Sequence, residues 1–194
     1  IAFLNDRAVT FLAKWHHHAA GSSSHIHQSL RGADGSAMFF DPTQPHSMSK
    51  MMQSYLSGLL TYADDNTYFL APYVNSYKRF KAGTFAPTKA IWSIDNRTAG
   101  YRVVSENSQS IRVECRVGGS DLNPYLALAG QLAAGLKGIE KNLALEPEFI
   151  GDAYQPGAGH AIPSSLREAT EANERCIEIC PTPPARSYSF MLVG

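Results

Sequence analysis

Two short segments carry side chains that could do chemistry together. In residues 23–30 (SSHIHQSL), strand alternation puts Ser23, His25, His27 and Ser29 on one face, with Ile26 and Leu30 on the other. Imidazoles spaced His-x-His on a hydroxyl-lined face can ligate a divalent metal or donate to phosphate oxygens. An ordinary solvated strand surface would show the same pattern. In residues 111–117 (IRVECRV), Ile111, Val113, Cys115 and Val117 share one face and Arg112, Glu114 and Arg116 the other. A surface ion-pair ladder reads alike and contributes little energy. Beside the His25/His27 face, however, the same three residues would form a metal site of carboxylate and imidazole flanked by guanidinium groups. Arginine's planar fork suits carboxylate and phosphate oxygens, and Arg79, Arg97 and Arg102 add to the supply. The chemistry so described is phosphoryl transfer with a divalent metal and a polyanionic substrate. A third histidine run, His16-His17-His18, cannot share one strand face and reads as loop.

Several elements must position these groups. Residues 8–13 (AVTFLA) and 25–30 have strand character, with a turn at 20–24 between them. Residues 31–35 (RGADG) read as a hairpin connection into Met38-Phe39-Phe40. From Ser47 the period changes: Met48, Met51, Met52, Tyr55, Leu56, Leu59, Leu60 and Ala63 predict an amphipathic helix of about four turns. Asn123 is a good N-cap with Pro124 at the first helical position. Tyr125, Leu126, Ala129, Leu132, Ala133, Leu136 and Ile139 are expected to form that helix's buried stripe, its many Ala and Gly residues packing close to a sheet. Between the two helices, residues 101–105 and 111–117 are strand candidates. Residues 151–163 are a Gly/Pro loop, and Ser164 or Ser165 should cap a short helix running to Asn173.

Composition sets the frame. The 194 residues carry 17 Lys+Arg against 17 Asp+Glu, a net charge of zero that argues against a general grip on nucleic acid or anionic membrane. The sum hides a basic stretch from Lys78 to Arg116. No apolar run is long enough to span a bilayer. Three cysteines without a CxxC pair fit a reducing, cytoplasmic setting better than a disulfide framework. The chain opens on Ile1 rather than a methionine, without a signal-peptide pattern, and is expected to be a piece of something longer.

Six collinear segments resemble the glutamine synthetase family: residues 21–30 (GSSSHIHQSL), 75–80 (NSYKRF), 86–87 (AP), 95–102 (DNRTAGYR), 112–116 (RVECR) and 123–126 (NPYL). The resemblance runs over roughly residues 8–173, in the family's order and at nearly its spacing. It implies an α+β fold, the C-terminal portion (residues 1–175) of a catalytic domain whose curved, mainly antiparallel sheet forms an open barrel half with flanking helices. It also implies an ATP-dependent carboxylate–amine ligase, in which glutamate is phosphorylated on its side chain and an amine displaces the phosphate. Carried over position by position, His25 and Glu114 match metal ligands for Mg²⁺ or Mn²⁺. Gly21, Arg79 and Arg116 match glutamate-binding positions. His27 and Ser29, with Arg97 and Arg102, match positions that meet ATP, and Arg79 and Arg97 are the expected catalytic arginines. Metals and arginines would stabilise charge on the transferring phosphoryl group. A homo-oligomeric ring is implied for the full-length protein.

Two departures from the family matter. Ammonia-using members carry a glutamate just before Ala-Pro, where this chain has Phe85. Phenylalanine can neither accept a proton nor attract a cation by net charge, although its face can pack on an alkyl or ammonium group. The acceptor is therefore expected to be an amine larger than ammonia, as in polyamine or alkylamine γ-glutamyl ligases. Ala20 in place of a usual asparagine, and Lys14-Trp15 in place of Lys-Pro, mark the same side as diverged. The second departure is absence: the family's small N-terminal β-domain, with further metal-binding glutamates, is expected upstream of residue 1. Residues 176–194 form a divergent tail, expected to be irregular, as a shifted reading frame or truncation would produce; Cys176 and Cys180 there are a weak metal pair. The 194-residue piece alone is expected to be inactive. Competing readings are a glutamine synthetase using ammonia, a degenerate homologue serving as structural or regulatory subunit, and an unrelated metal-dependent hydrolase built around His-x-His.

Overall fold

Period-two segments pair first. In a computed structural model describing residues 1–157 and 159–175, strand β1 (Ile26–Gln28) lies antiparallel to β5 (Arg112–Cys115), and β5 lies antiparallel to β4 (Tyr101–Val104). Strand β3 (Trp92–Ile94) adds to β4 in parallel, giving the order β1-β5-β4-β3. The sheet is thus mixed and open, antiparallel in two of its three pairings. A second, two-stranded sheet joins β2 (Lys89–Ala90) to β6 (His160–Ala161). The α+β expectation holds, with the parallel β3–β4 edge as the added detail. The tail at 176–194, with Cys176 and Cys180, lies outside the described residues.

The core lies under one face of the sheet. Tyr101, Val103, Val113 and Cys115 point inward with Met52, Tyr55, Leu56 and Leu59 of α1 (Lys50–Thr61). Helix α1 starts where Ser49 Oγ accepts the Met52 N–H at 3.1 Å. The periodic run is not one helix: it breaks at Tyr62, and α2 (Ala63–Leu70) continues from there, followed by the short α3 (Val74–Tyr77). Helix α4 (Pro124–Glu140) has the expected Asn123 cap, accepting from Tyr125 and Leu126 N–H groups. Helix α5 (Leu166–Arg175) runs two residues beyond Asn173, with Ser165 Oγ accepting the Glu168 N–H at 3.2 Å.

Two expectations are corrected. Residues 8–13 form no strand; Val9 and Phe11 are exposed, and β propensity without a partner strand among the described residues leaves the segment irregular. The α4 stripe holds only in part: Ala133 and Ile139 pack against the core, but Tyr125, Leu126, Ala129, Leu132 and Leu136 are exposed. Ala127, Gln131, Ala134, Gly135 and Gly138 are buried, whereas Leu128 is exposed as well. The reason is backbone approach: α4 packs on helix α1 rather than on a sheet, through Gly58 and Gly138. A Cβ on Gly58 would sit 2.8 Å from the Gly138 Cα and closer still to the Ala134 carbonyl. Only small residues allow that distance, so leucine is excluded from the contact. No helix among the described residues is long and apolar enough to cross a membrane.

Candidate functional site

Strand register delivers the site. His27 of β1 and Arg102 of β4 stand opposite Glu114 of β5 on either side, and the odd-numbered neighbours Val113 and Cys115 turn into the core. Glu114 is only 3% exposed. Its carboxylate accepts from Arg116 Nη1 at 3.1 Å on both oxygens and from Arg102 Nη1 at 3.1 Å. His25 Nδ1 lies 2.9 Å from Glu114 Oε1 and His27 Nε2 3.6 Å from it. Burial works to raise the Glu114 pKa, but the charge and hydrogen bond of Arg116, then His25 and Arg102, hold the carboxyl below its ordinary value. Burial and the Arg116 charge push His25 down against the pull of Glu114, which favours a neutral imidazole with a lone pair to offer.

Arg79 is buried and forms the floor. Its guanidinium donates to the Val117 carbonyl and, at 2.9 Å, to that of Gly118. Burial lowers its pKa to about 10, which leaves it charged at neutral pH. Gly21 lies against the Arg79 stem: a Cβ there would come 2.7 Å from Arg79 Cγ and 2.9 Å from the Ala13 carbonyl. Asn75 locks the approach, donating to the Lys14 carbonyl at 2.8 Å and accepting the Lys14 N–H at 3.0 Å.

Two adjoining cavities follow. One of about 330 Å³ is lined by His25, Phe85, Arg97, Arg102, Glu114 and Arg116. The other, of about 200 Å³, is lined by Gly21, Ser23, His25, Arg79, Thr84, Phe85, Ala86 and Arg116. Phe85 and Arg116 line both. The Nε atoms of Arg79 and Arg116 are both buried without a hydrogen-bond partner among the described residues. A larger cavity of about 830 Å³ lies between α3 and α5, away from these charges. Chemistry rather than volume picks out the smaller pair.

Eight of the positions singled out in the sequence meet here: Gly21, His25, Arg79, Phe85, Arg97, Arg102, Glu114 and Arg116. Arg102 is engaged already, held by Asp95 as well as Glu114. His27 lines neither cavity; it accepts from Arg112 Nε at 3.1 Å and is partly exposed. Ser29 is exposed just past β1 and lines neither cavity. Asp95, unassigned in the sequence, has a left-handed backbone (φ 47°) that turns it toward Arg102. Its position seven residues before Arg102 was the only available signal. For a divalent metal, His25 and Glu114 fit in kind, offering imidazole and carboxylate. They fall short in number, since no cluster of three or more such ligands occurs among the described residues.

Comparison with known proteins places this fold in a family. The family model for the glutamine synthetase catalytic domain matches residues 1–182. The chain belongs to the glutamine synthetase family, and its fold is that of the family's catalytic domain. It is 45% identical to gamma-glutamylethanolamide synthetase GlnA4 of Streptomyces coelicolor, over 88% of this chain and 36% of the relative. It is 35% identical to a glutamate–isopropylamine ligase of a Pseudomonas species, over 87% of this chain and 37% of the relative. It is also 38% identical to type-1 glutamine synthetase 2 of Dictyostelium discoideum, over 88% of this chain and 34% of the relative. A solved structure of apo GmaS superposes with a TM-score of 0.79 at 30% identity, covering 89% of this chain and 40% of that one. The chain therefore spans a little over a third of the length of the curated relatives it matches.

Proposed function

We propose that the protein containing this chain is an ATP-dependent ligase that joins glutamate to an amine larger than ammonia through γ-glutamyl phosphate. Overall similarity does not choose the acceptor, because relatives named for amines and a relative named glutamine synthetase match at comparable identity. The observation that carries the choice is Phe85. It is exposed, lines both cavities and presents a ring where a carboxylate would bind ammonium. A ring there packs on carbon and tolerates a cation over its face.

In this reading Arg116, which lines both cavities, binds the glutamate, and Gly21 leaves room beside the Arg79 stem. Arg79, committed to two carbonyls, holds the floor in shape more than it reaches for substrate. Arg97 lines the cavity of about 330 Å³, where the phosphoryl group would pass, and spreads positive charge toward it. His27 and Ser29, on the open end of β1, lie where a nucleotide could approach. His25 and Glu114 would hold Mg²⁺ or Mn²⁺, which polarises phosphoryl oxygens when bound. Further ligands must then come from elsewhere in the protein, so the 194-residue chain alone is inactive. Exposed Val9, Phe11, Trp15 and the α4 leucines give apolar surface suited to a homo-oligomer. ATP-dependent phosphate release with glutamate and a series of amines tests the reading; activity with an alkylamine above that with ammonium supports it, and the reverse order removes it.

A further inference from the structure

Phe85 has an exposed loop around it and needs something to hold it. Residues 81–85 are all exposed, Gly83 and Phe85 both have left-handed backbones (φ 77° and 56°), and the Thr84 hydroxyl donates within the loop, to the Lys81 carbonyl. A left-handed aromatic residue is strained and persists only where its surroundings fix it. One side chain reaches the loop from far away in sequence. The Tyr154 hydroxyl donates to the Ala86 carbonyl at 3.0 Å, and Ala86 is buried directly beside Phe85.

Tyr154 is itself firmly seated. Its backbone N–H donates to Asp152 Oδ1 at 3.0 Å, the preceding Ala153 N–H donates to Thr98 Oγ1 at 3.0 Å, and Lys89 Nζ bonds the Gln155 carbonyl at 2.7 Å. Burial, then Asp152, pushes the phenol's pKa up, so at neutral pH the O–H remains a donor.

We propose that Tyr154 is the positioning residue for the acceptor loop: its bond to Ala86 holds Phe85 over the two cavities and so sets which amines are accepted. The inference rests on reading Phe85 as the acceptor contact. In that role Tyr154 touches no substrate; it acts through the loop.

The test is Tyr154→Phe in the full-length protein, which removes one oxygen and keeps the ring. Amide hydrogen exchange over residues 81–87 should quicken while the rest of the sheet is unchanged. The KM for the amine should rise roughly threefold to tenfold, the span expected for one lost hydrogen bond, with the KM values for glutamate and ATP within twofold. Unchanged exchange over 81–87, or equal rises in all three KM values, overturns the proposal. If Tyr154→Phe does not fold, Asp152→Ala, which frees the Tyr154 backbone, is read by the same exchange measurement and the same criteria. Absence of ligase activity in the unmutated protein overturns the functional reading instead, while the exchange result still decides whether Tyr154 holds the loop.

Discussion

Glu114 stands opposite His27 in the β1–β5 register, yet its carboxylate lies nearer His25, at 2.9 Å against 3.6 Å. The offset arises because His27 is drawn outward by Arg112, which donates to its Nδ1. His25, just ahead of β1, is left against the carboxylate and faces both cavities. The outcome is a division of roles along one His-x-His pair: an inner imidazole paired with Glu114 and an outer one at the rim.

Replacing Glu114 by Gln should therefore cost both activity and stability. The amide cannot offset Arg116 and Arg102, which leaves buried guanidinium charge uncompensated, at a cost of about 1–3 kcal/mol. Ligase kcat in the full-length protein should fall by about 10²-fold or more, a size typical of lost transition-state electrostatics. A denaturant titration and a steady-state assay check the two effects separately. Unchanged stability would show that the arginines do not depend on this carboxylate.

Gly58→Ala tests the helix contact. Its new methyl would meet backbone of α4 rather than a movable side-chain tip, so α1 and α4 must separate. Overpacking of this kind costs about 1–3 kcal/mol, despite alanine's better helix propensity. Equilibrium unfolding should show the loss, whereas a gain in stability would mean that the helices are not held at this distance.

That contact also shows what the sequence did and did not disclose. Alternation alone separates His25, His27, Glu114 and Arg116 from Ile26, Val113 and Cys115, because a half-buried strand has a strict period of two. On α4 the same logic chose a stripe in which Ala133 and Ile139 pack on the core but Tyr125 and the leucines stay exposed. Leucines carry more apolar surface than alanines and glycines, so they mark the stripe by hydrophobicity, but the distance between Gly58 and Gly138 was set by backbone packing. Asp95 meets Arg102 through the parallel β3–β4 edge, and Tyr154 meets Ala86 across 68 residues. Neither pairing has a local period to betray it. The left-handed backbone of Phe85 was equally silent, since its residue type argues against that conformation.

The start of α5 should respond to acid. Glu168 accepts from the Ser164 N–H at 2.8 Å and from its hydroxyl, and the Ser164 bonds hold its pKa below the ordinary carboxylate value. A carboxyl depressed in the folded state contributes stability above its unfolded pKa and loses it as pH falls through the folded one. Glu168→Ala should thus be less stable than the parent at neutral pH, with the gap closing in acid. Unfolding midpoints of the two proteins across the carboxylate range check this, and a gap independent of pH would contradict it.

Lysine at position 79 should not substitute for arginine. Both the Val117 and Gly118 carbonyls are held by a single guanidinium nitrogen, Nη2, at the tip of the arginine; the lysine stem is one bond shorter, so its ammonium falls short and at least one carbonyl would lose its partner. Arg79→Lys should lower stability by about 1–3 kcal/mol and raise the KM for glutamate, with little change for ATP. Equal stability would show that these two carbonyls do not depend on the guanidinium.

The central claim is that Phe85 sets an acceptor larger than ammonia, and the direct measurement is acceptor preference before and after Phe85→Glu. Full-length protein, ATP and glutamate are assayed for phosphate release with ammonium, methylamine or putrescine, each over a range of concentrations. The unmutated protein should show its highest kcat/KM with one of the two larger amines, and Phe85→Glu should shift the ratio toward ammonium by about tenfold or more, as expected when a carboxylate replaces an uncharged ring at a cation site. Ammonium as the best acceptor of the unmutated protein, or a ratio that Phe85→Glu leaves unmoved, would contradict the account.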